Sequence, residues 1–187
     1  AGLNMHVNVS GTDMCRASFV QQVATALLSN GLEPNQLTLE ITESTLMHRL
    51  DSALAVMGQL REIGVGLSVD DFGTGYSSLR HLSSLPVNEL KLDRGFVADL
   101  ERGTSDETVV RAIVMMGQSL GKSMMAEGIE TAAQLARLRQ AGCRAGQGFL
   151  LSRPLSAEQV DLLLARTLGE PEQVPAVFRD SSHALLH

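Results

Sequence analysis

The sequence predicts an α/β fold, a TIM-like (β/α)8 barrel that lacks its N-terminal strand and helix portion. Three observations carry that expectation. Strand-like runs alternate with helix-like runs six times along the chain, and an acidic, amide or ammonium side chain stands in or just beyond most of the strands. In an open doubly wound sheet such residues would spread along a line, whereas in a barrel the C-terminal strand ends converge on one mouth. The chain opens abruptly at Ala1-Gly2-Leu3 without an initiator Met, and its 187 residues fall roughly 60 short of a typical barrel. It therefore reads as a fragment whose missing part is N-terminal.

The elements follow in order. Met5-His6-Val7-Asn8-Val9 reads as a strand, and Phe19, Val23, Ala26 and Leu27 mark a helix face ended by Asn30-Gly31. Leu37 to Thr42 alternates cleanly, and Leu46, Leu50, Leu54, Met57 and Leu60 anchor the next helix. Val65, Leu67 and Val69 alternate with Gly66, Ser68 and Asp70. A short helix with Leu79, Leu82 and Leu85 runs to Pro86, and Glu89 to Asp93 alternates again. Thr104 and Glu107 have capping-box spacing, as do Thr131 with Gln134 and Ser156 with Gln159. Met124 to Glu127 is the strand between the first two of these helices, and Gly148-Phe149-Leu150-Leu151 is expected as the last strand. Met115, Met116, Met124 and Met125 are read as core. One domain spans 1–167, and 168–187, rich in Pro, Glu and other polar residues, reads as a tail or linker.

Composition narrows the function. The chain is 44% apolar and 19% charged, enough for one globular core, and its net charge of −6 with no basic stripe excludes long nucleic acid as a partner. An anionic substrate would need a metal bridge. No apolar run approaches the roughly 18 residues of a membrane span, so no membrane contact is expected from this segment. Cys15 and Cys143 form no C-x-x-C and read as small apolar fillers in a reduced, cytoplasmic compartment. The five His residues lack zinc-hydrolase spacing, and Ser77 and Ser78 lack a nucleophile elbow or a paired His.

The most informative stretch is Val69 to Leu79, where the adjacent acids Asp70 and Asp71 end an apolar strand and a glycine-rich turn follows. Two carboxylates about 4 Å apart repel by about 4 kcal/mol at an effective dielectric near 20 unless a cation offsets them. Hydrolysis of a phosphodiester needs a nucleophilic water, charge compensation on phosphoryl oxygens and a stabilised leaving alkoxide, which paired hard cations supply. Carboxylate and amide oxygens suit Mg²⁺ or Mn²⁺.

These segments together resemble the EAL domain, a bacterial phosphodiesterase module that cleaves cyclic di-GMP to linear pGpG. Met5 to Ser10 resembles the family's apolar-Asn-x-Ser strand, Glu40-Ile41-Thr42-Glu43-Ser44 its E-(L/I)-T-E-S motif, and Asp70 to Leu79 its D-D-F-G-T-G-Y-S-S-L loop. Leu85 to Asp93 is similar to L-P-V-D-x-L-K-I-D, Ala126 to Thr131 to A-E-G-V-E-T, and Gly142 to Leu155 to the family's G-C-x-x-x-Q-G-Y-L-F-S-R-P-L segment. The likeness covers about residues 3 to 166, and six ordered motifs are a specific signal. The family's E-x-L-x-R motif, with a metal-binding Glu and a phosphate-holding Arg, precedes the Asn-x-Ser strand by several tens of residues and lies outside this sequence.

The resemblance implies the following roles. Asn8, Glu40 and Asp70 bind a first metal, with Asp70 bridging to a second ion held by Asp71, so that two Mg²⁺ or Mn²⁺ ions are expected. Glu127 is either the general base or a ligand near the second ion, and Lys91 orients the attacking water or offsets phosphate charge. Gln147 bonds substrate in the mouth, Glu43 anchors the Asp71 to Ser78 loop as a lid, and Glu130 supports the site from behind. Expected partners are cyclic di-GMP, a second copy in a homodimer, and sensory or GGDEF-type domains upstream. Two other classes are weighed: an inactive cyclic di-GMP receptor, whose sign would be lost acids, and an enolase-type metal barrel, which would not predict the Asp-Asp-Phe-Gly loop.

Overall fold

The computed structural model describes residues 3–75, 79–101 and 104–169. Its elements in chain order are β1 (Met5–Asn8), α1 (Gly11–Met14), α2 (Ala17–Asn30), a 3₁₀ turn at Pro34–Gln36, β2 (Leu37–Thr42), α3 (Glu43–His48), α4 (Leu50–Glu62), β3 (Gly66–Phe72), α5 (Leu79–Ser84), β4 (Glu89–Leu92), α6 (Arg94–Asp99), α7 (Thr104–Ser119), β5 (Ser123–Ala126), α8 (Ala132–Gln140), β6 (Ala145–Gly146) and α9 (Ala157–Gly169).

All strand pairs are parallel and the spatial order is β1-β2-β3-β4-β5-β6, the same as the chain order. A doubly wound sheet reverses its strand order at a switch point, and a barrel wall does not. The wall is also curled. Carboxylate oxygens from Asp70 and Asp71 on β3 and Glu127 at the end of β5, two strands away, lie within 4.8 Å of one another, so these strand ends share one mouth. The fold is a partial TIM-like barrel.

Alternation drives the core. On β2, β3 and β4 one set of residues, including Leu39, Ile41, Leu67, Val69, Leu90 and Leu92, packs outward against the helices and is buried. The alternate set (Thr38, Glu40, Ser68, Glu89, Lys91) faces the barrel interior and is buried as well. From the helix side Leu46, Met57, Leu60, Leu82, Val97, Val110 and Val114 complete the same cluster. β1 is different: Met5 and Val7 are exposed. Two of the three anticipated capping boxes form, and the side chain of Thr104, on which the third depends, lies outside the described residues. Thr131 accepts from Gln134 N while Gln134 accepts from Thr131 N, and Ser156 and Gln159 repeat the exchange.

Three expectations need correction. The last strand is Ala145–Gly146, not Gly148 to Leu151. Gly148 presses its backbone against Ile129, where a Cβ would sit 2.2 Å from Ile129 N, and its carbonyl accepts from Leu151 and Ser152 in a turn. The apolar run Phe149-Leu150-Leu151 is therefore exposed rather than laddered. The helix anchored by Leu46 to Leu60 is two helices, broken at Arg49. Of the four methionines, Met124 and Met125 are buried and Met116 packs against the core, but Met115 is 59% exposed. The tail from 170 to 187 lies outside the described residues, as do Tyr76, Ser77 and Ser78 of the glycine loop. Cys143 is buried and its thiol is pushed up to about 12 by that burial, consistent with a filler. No helix among the described residues is long and apolar enough to cross a membrane.

Candidate active site

Parallel strands deliver their C-terminal ends to one side of the wall, and Glu40, Asp70, Lys91 and Glu127 meet toward that side. Lys91, on β4, is the hub. Its ammonium donates to Glu40 Oε2 on β2 at 2.7 Å, pairs with Glu127 Oε1 beyond β5 at 2.5 Å, and stands 3.5 Å from Asp70 Oδ1 on β3. Gln147, just past β6, donates from Nε2 to Glu127 Oε1 at 2.8 Å. Asn8, at the end of β1, pairs in register with Glu40, although its side chain is exposed.

A regular strand would send Asp70 and Asp71 to opposite faces. Here the β3–β4 register slips between Val69 and Phe72, and Asp71 adopts φ 54°, the one non-glycine residue with positive φ among those described. That bulge turns both acids toward the mouth, where Asp71 N also donates to Asp70 Oδ1 at 3.0 Å. A left-handed non-glycine residue stores roughly 1–2 kcal/mol. Backbone strain of this kind concentrates at functional positions.

Glu43 starts α3 and is 1% exposed. It accepts from Gly73 N at 3.0 Å and from Gly75 N at 3.3 Å, so a carboxylate on one element holds the turn that follows the acidic pair. A Cβ on Gly75 would sit 2.6 Å from Glu43 Oε1, and only glycine permits this approach. Glu130 is not brought into the cluster. It is exposed, its backbone N donates to Gln134, and its carboxylate makes no bond or ion pair among the described residues.

The electrostatics follow from four carboxylates around one ammonium. For Glu40, burial works to raise the pKa, but the bonds and charges of His6 and Lys91 outweigh it and hold the acid lower than usual. Glu127 goes the other way: burial is the largest influence, Lys91 opposes it, and the nearby Asp70 and Glu40 help to leave its pKa raised. Asp71 is raised by burial and by the charges of Asp70 and Asp93. For Lys91 burial works to lower the pKa, but the bonds and charges of Glu127 and Glu40 outweigh it and keep the ammonium firmly cationic. Such a site has an excess of negative charge, all of it on hard oxygen donors. Asp70, Asp71 and Glu127 each offer one oxygen within 4.8 Å of the others, a spacing and donor set that fit a divalent cation such as Mg²⁺ or Mn²⁺.

Sequence reasoning passed over two interior residues, His6 and Glu89. His6 Nδ1 is 2.7 Å from Glu40 Oε1, and Glu89 accepts from Ser68 Oγ at 3.3 Å. The signal was available: His6 precedes Asn8 by two and Glu89 precedes Lys91 by two, so each shares the face of a residue that was singled out.

Comparison with known proteins decides the family. The sequence profile of the EAL domain matches residues 1–154. This chain belongs to the EAL domain family. It is 49% identical over 160 residues, 86% of its own length, to the bifunctional diguanylate cyclase/cyclic di-GMP phosphodiesterase MucR of Pseudomonas aeruginosa, of which it spans only 23%. Among solved structures, a PaMucR phosphodiesterase in complex with c-di-GMP superposes with a TM-score of 0.80 at 49% identity, covering 84% of this EAL chain and 64% of that one. A manganese and cyclic di-GMP complex of Klebsiella pneumoniae BlrP1 superposes with a TM-score of 0.75 at 32% identity, covering 81% and 39% respectively.

Proposed function

We propose that this EAL domain hydrolyses cyclic di-GMP to linear pGpG with the help of divalent metal, Mg²⁺ or Mn²⁺, in a two-ion site. The observation that carries the proposal is the convergence of Asp70, Asp71 and Glu127 on one point beside the Glu40–Lys91 pair. The names of MucR and of the PaMucR and BlrP1 complexes support the substrate and the use of metal. Asn8, Glu40, Asp70, Asp71 and Glu127 would hold the ions. Bound there, divalent metal supplies an acidified water and offsets charge on the phosphoryl oxygens.

The chain's own residues do the rest. Asp71 and Glu127, carboxylates that converge at the mouth, are placed to accept the proton that the attacking water gives up. Lys91 stays charged and presents N–H donors to the water or to a phosphate oxygen. Gln147 fixes Glu127 by its amide N–H and offers its carbonyl to the substrate. Glu43 sets the backbone of the loop that starts at Asp71, so that loop closure and carboxylate position move together. The proposal includes a cytoplasmic homodimer, with sensory or GGDEF-type domains elsewhere in a longer protein.

The test separates chemistry from binding. In the full-length protein, Glu127→Ala should lower kcat by roughly 10²–10⁴-fold, the scale of a positioned acid or base, while KM moves far less. Near-normal turnover in that variant would remove Glu127, and with it the proposed site, from the reaction.

A further inference from the structure

His6 stands on the interior face of β1, two residues before Asn8, with its side chain 8% exposed. It pairs in register with Thr38 yet reaches along the wall to Glu40, two residues further on. Its Nδ1 lies 2.7 Å from Glu40 Oε1, while Lys91 Nζ lies 2.7 Å from Glu40 Oε2. Each oxygen of that carboxylate therefore has its own partner on a different strand. At 2.7 Å the Glu40 oxygen is placed to accept from the ring nitrogen that faces it. Glu89 Oε1 stands 3.9 Å from the same nitrogen and is itself bonded by Ser68, which leaves Glu40 as the closer acceptor.

A carboxylate rotates easily about its last bond, and one partner does not fix the plane of its two oxygens. Two partners do. Lys91 is a flexible ammonium shared among Glu40, Glu127 and Asp70. His6 is a rigid ring on a short stem that meets Glu40 at 2.7 Å.

We propose that His6 is a positioning residue, whose Nδ1–H fixes the Glu40 carboxylate in the orientation that presents it to a divalent ion at the mouth. This rests on the reading of Glu40 as a metal ligand given above. Partners behind a ligating side chain orient it, and their loss weakens metal binding by about 10–100-fold. Asn places a donor the same number of bonds from the backbone as His Nδ1, whereas Ala places none.

The experiment titrates Mn²⁺ by electron paramagnetic resonance into the full-length protein and its His6→Ala, His6→Asn and Glu40→Ala variants, each checked for folding by circular dichroism. The expected result is that His6→Ala binds Mn²⁺ about tenfold more weakly, His6→Asn stays within about threefold of the parent, and Glu40→Ala loses at least as much as His6→Ala. Nitrogen-15 spectra of the histidine-labelled parent should show a proton on His6 Nδ1, a readout that stands even where His6→Ala does not fold. Parent-like Mn²⁺ binding in His6→Ala beside loss in Glu40→Ala would overturn the positioning role alone. Equal loss in His6→Ala and His6→Asn would assign the effect to packing and overturn it too, as would an Nδ1 without a proton. Unchanged binding in Glu40→Ala would instead overturn the metal assignment on which the proposal rests.

Discussion

Glu40 and Glu89 make an instructive pair. Both face the barrel interior, on β2 and β4, and they are similarly buried, at 4% and 5% exposure. Their proton affinities diverge: Glu40 is held below the usual carboxylate range and Glu89 is pushed above it. Burial raises both, and the two acids differ in how far their partners offset it. Glu40 takes a bond from an ammonium and a bond from an imidazole, whereas Glu89 takes one from the Ser68 hydroxyl and feels His6 only at 3.9 Å. A buried acid stays ionised where donors are aimed at it, and the wall aims its donors at the C-terminal end, where the proposed chemistry is.

The sharpest way to break the comparison is to remove the shared donor. Lys91→Met should leave Glu40 and Glu127 without their ammonium, which costs about 3–5 kcal/mol when a buried pair loses one partner. It should also reduce kcat by roughly 10²–10³-fold, the scale of losing one aimed donor. Urea denaturation with chelator and with Mn²⁺ checks it. Mn²⁺ should recover part of the lost stability, because it offsets the same carboxylates.

A smaller effect, with opposite signs on the two acids, sharpens the contrast. Glu40 has a depressed pKa in the folded state, so its ionised form contributes stability above the unfolded carboxylate pKa, and that contribution fades as pH falls through the folded value. Glu89 has a raised pKa, so its contribution is full below the unfolded pKa and is lost as pH rises through the folded value. In chelator at neutral pH, Glu40→Gln should therefore lower Tm. Glu89→Gln, which keeps an acceptor for Ser68, should raise it by roughly 2–4 °C, the shift that about 1 kcal/mol gives in a domain of this size. Both differences should shrink toward pH 4. Thermal melts at pH 4, 5.5 and 7 read this, and shifts of the same sign in both variants would contradict the electrostatic account.

Much of this was legible in the sequence because period-two alternation is a backbone property. Leu37 to Thr42 and Gly66 to Val69 each announced a strand, and the polar members of each alternation announced an interior-facing set that includes Glu40 and Asp70. What was not legible depended on contacts between segments. Nothing in Val69-Asp70-Asp71-Phe72 signals that Asp71 takes φ 54° and joins Asp70 on one face, because the slip is defined against β4. The run Gly148 to Leu151 has strand-like composition, yet its fate was set by Ile129, nearly twenty residues earlier, against which Gly148 packs. Glu130 sits in a motif-like segment, but one residue past buried Ile129 it is exposed.

The central claim is that the converged acids work by holding divalent metal for phosphodiester hydrolysis. It is tested most directly by following conversion of cyclic di-GMP to pGpG by the full-length protein in Mn²⁺, after chelation, after Mn²⁺ is restored, and in the Asp70→Asn variant. The account predicts turnover with Mn²⁺, none in chelator, recovery on restoring the ion, and a loss of at least about 10²-fold in Asp70→Asn that extra Mn²⁺ does not repair. Undiminished turnover in excess chelator, or a fully active Asp70→Asn protein, would contradict it.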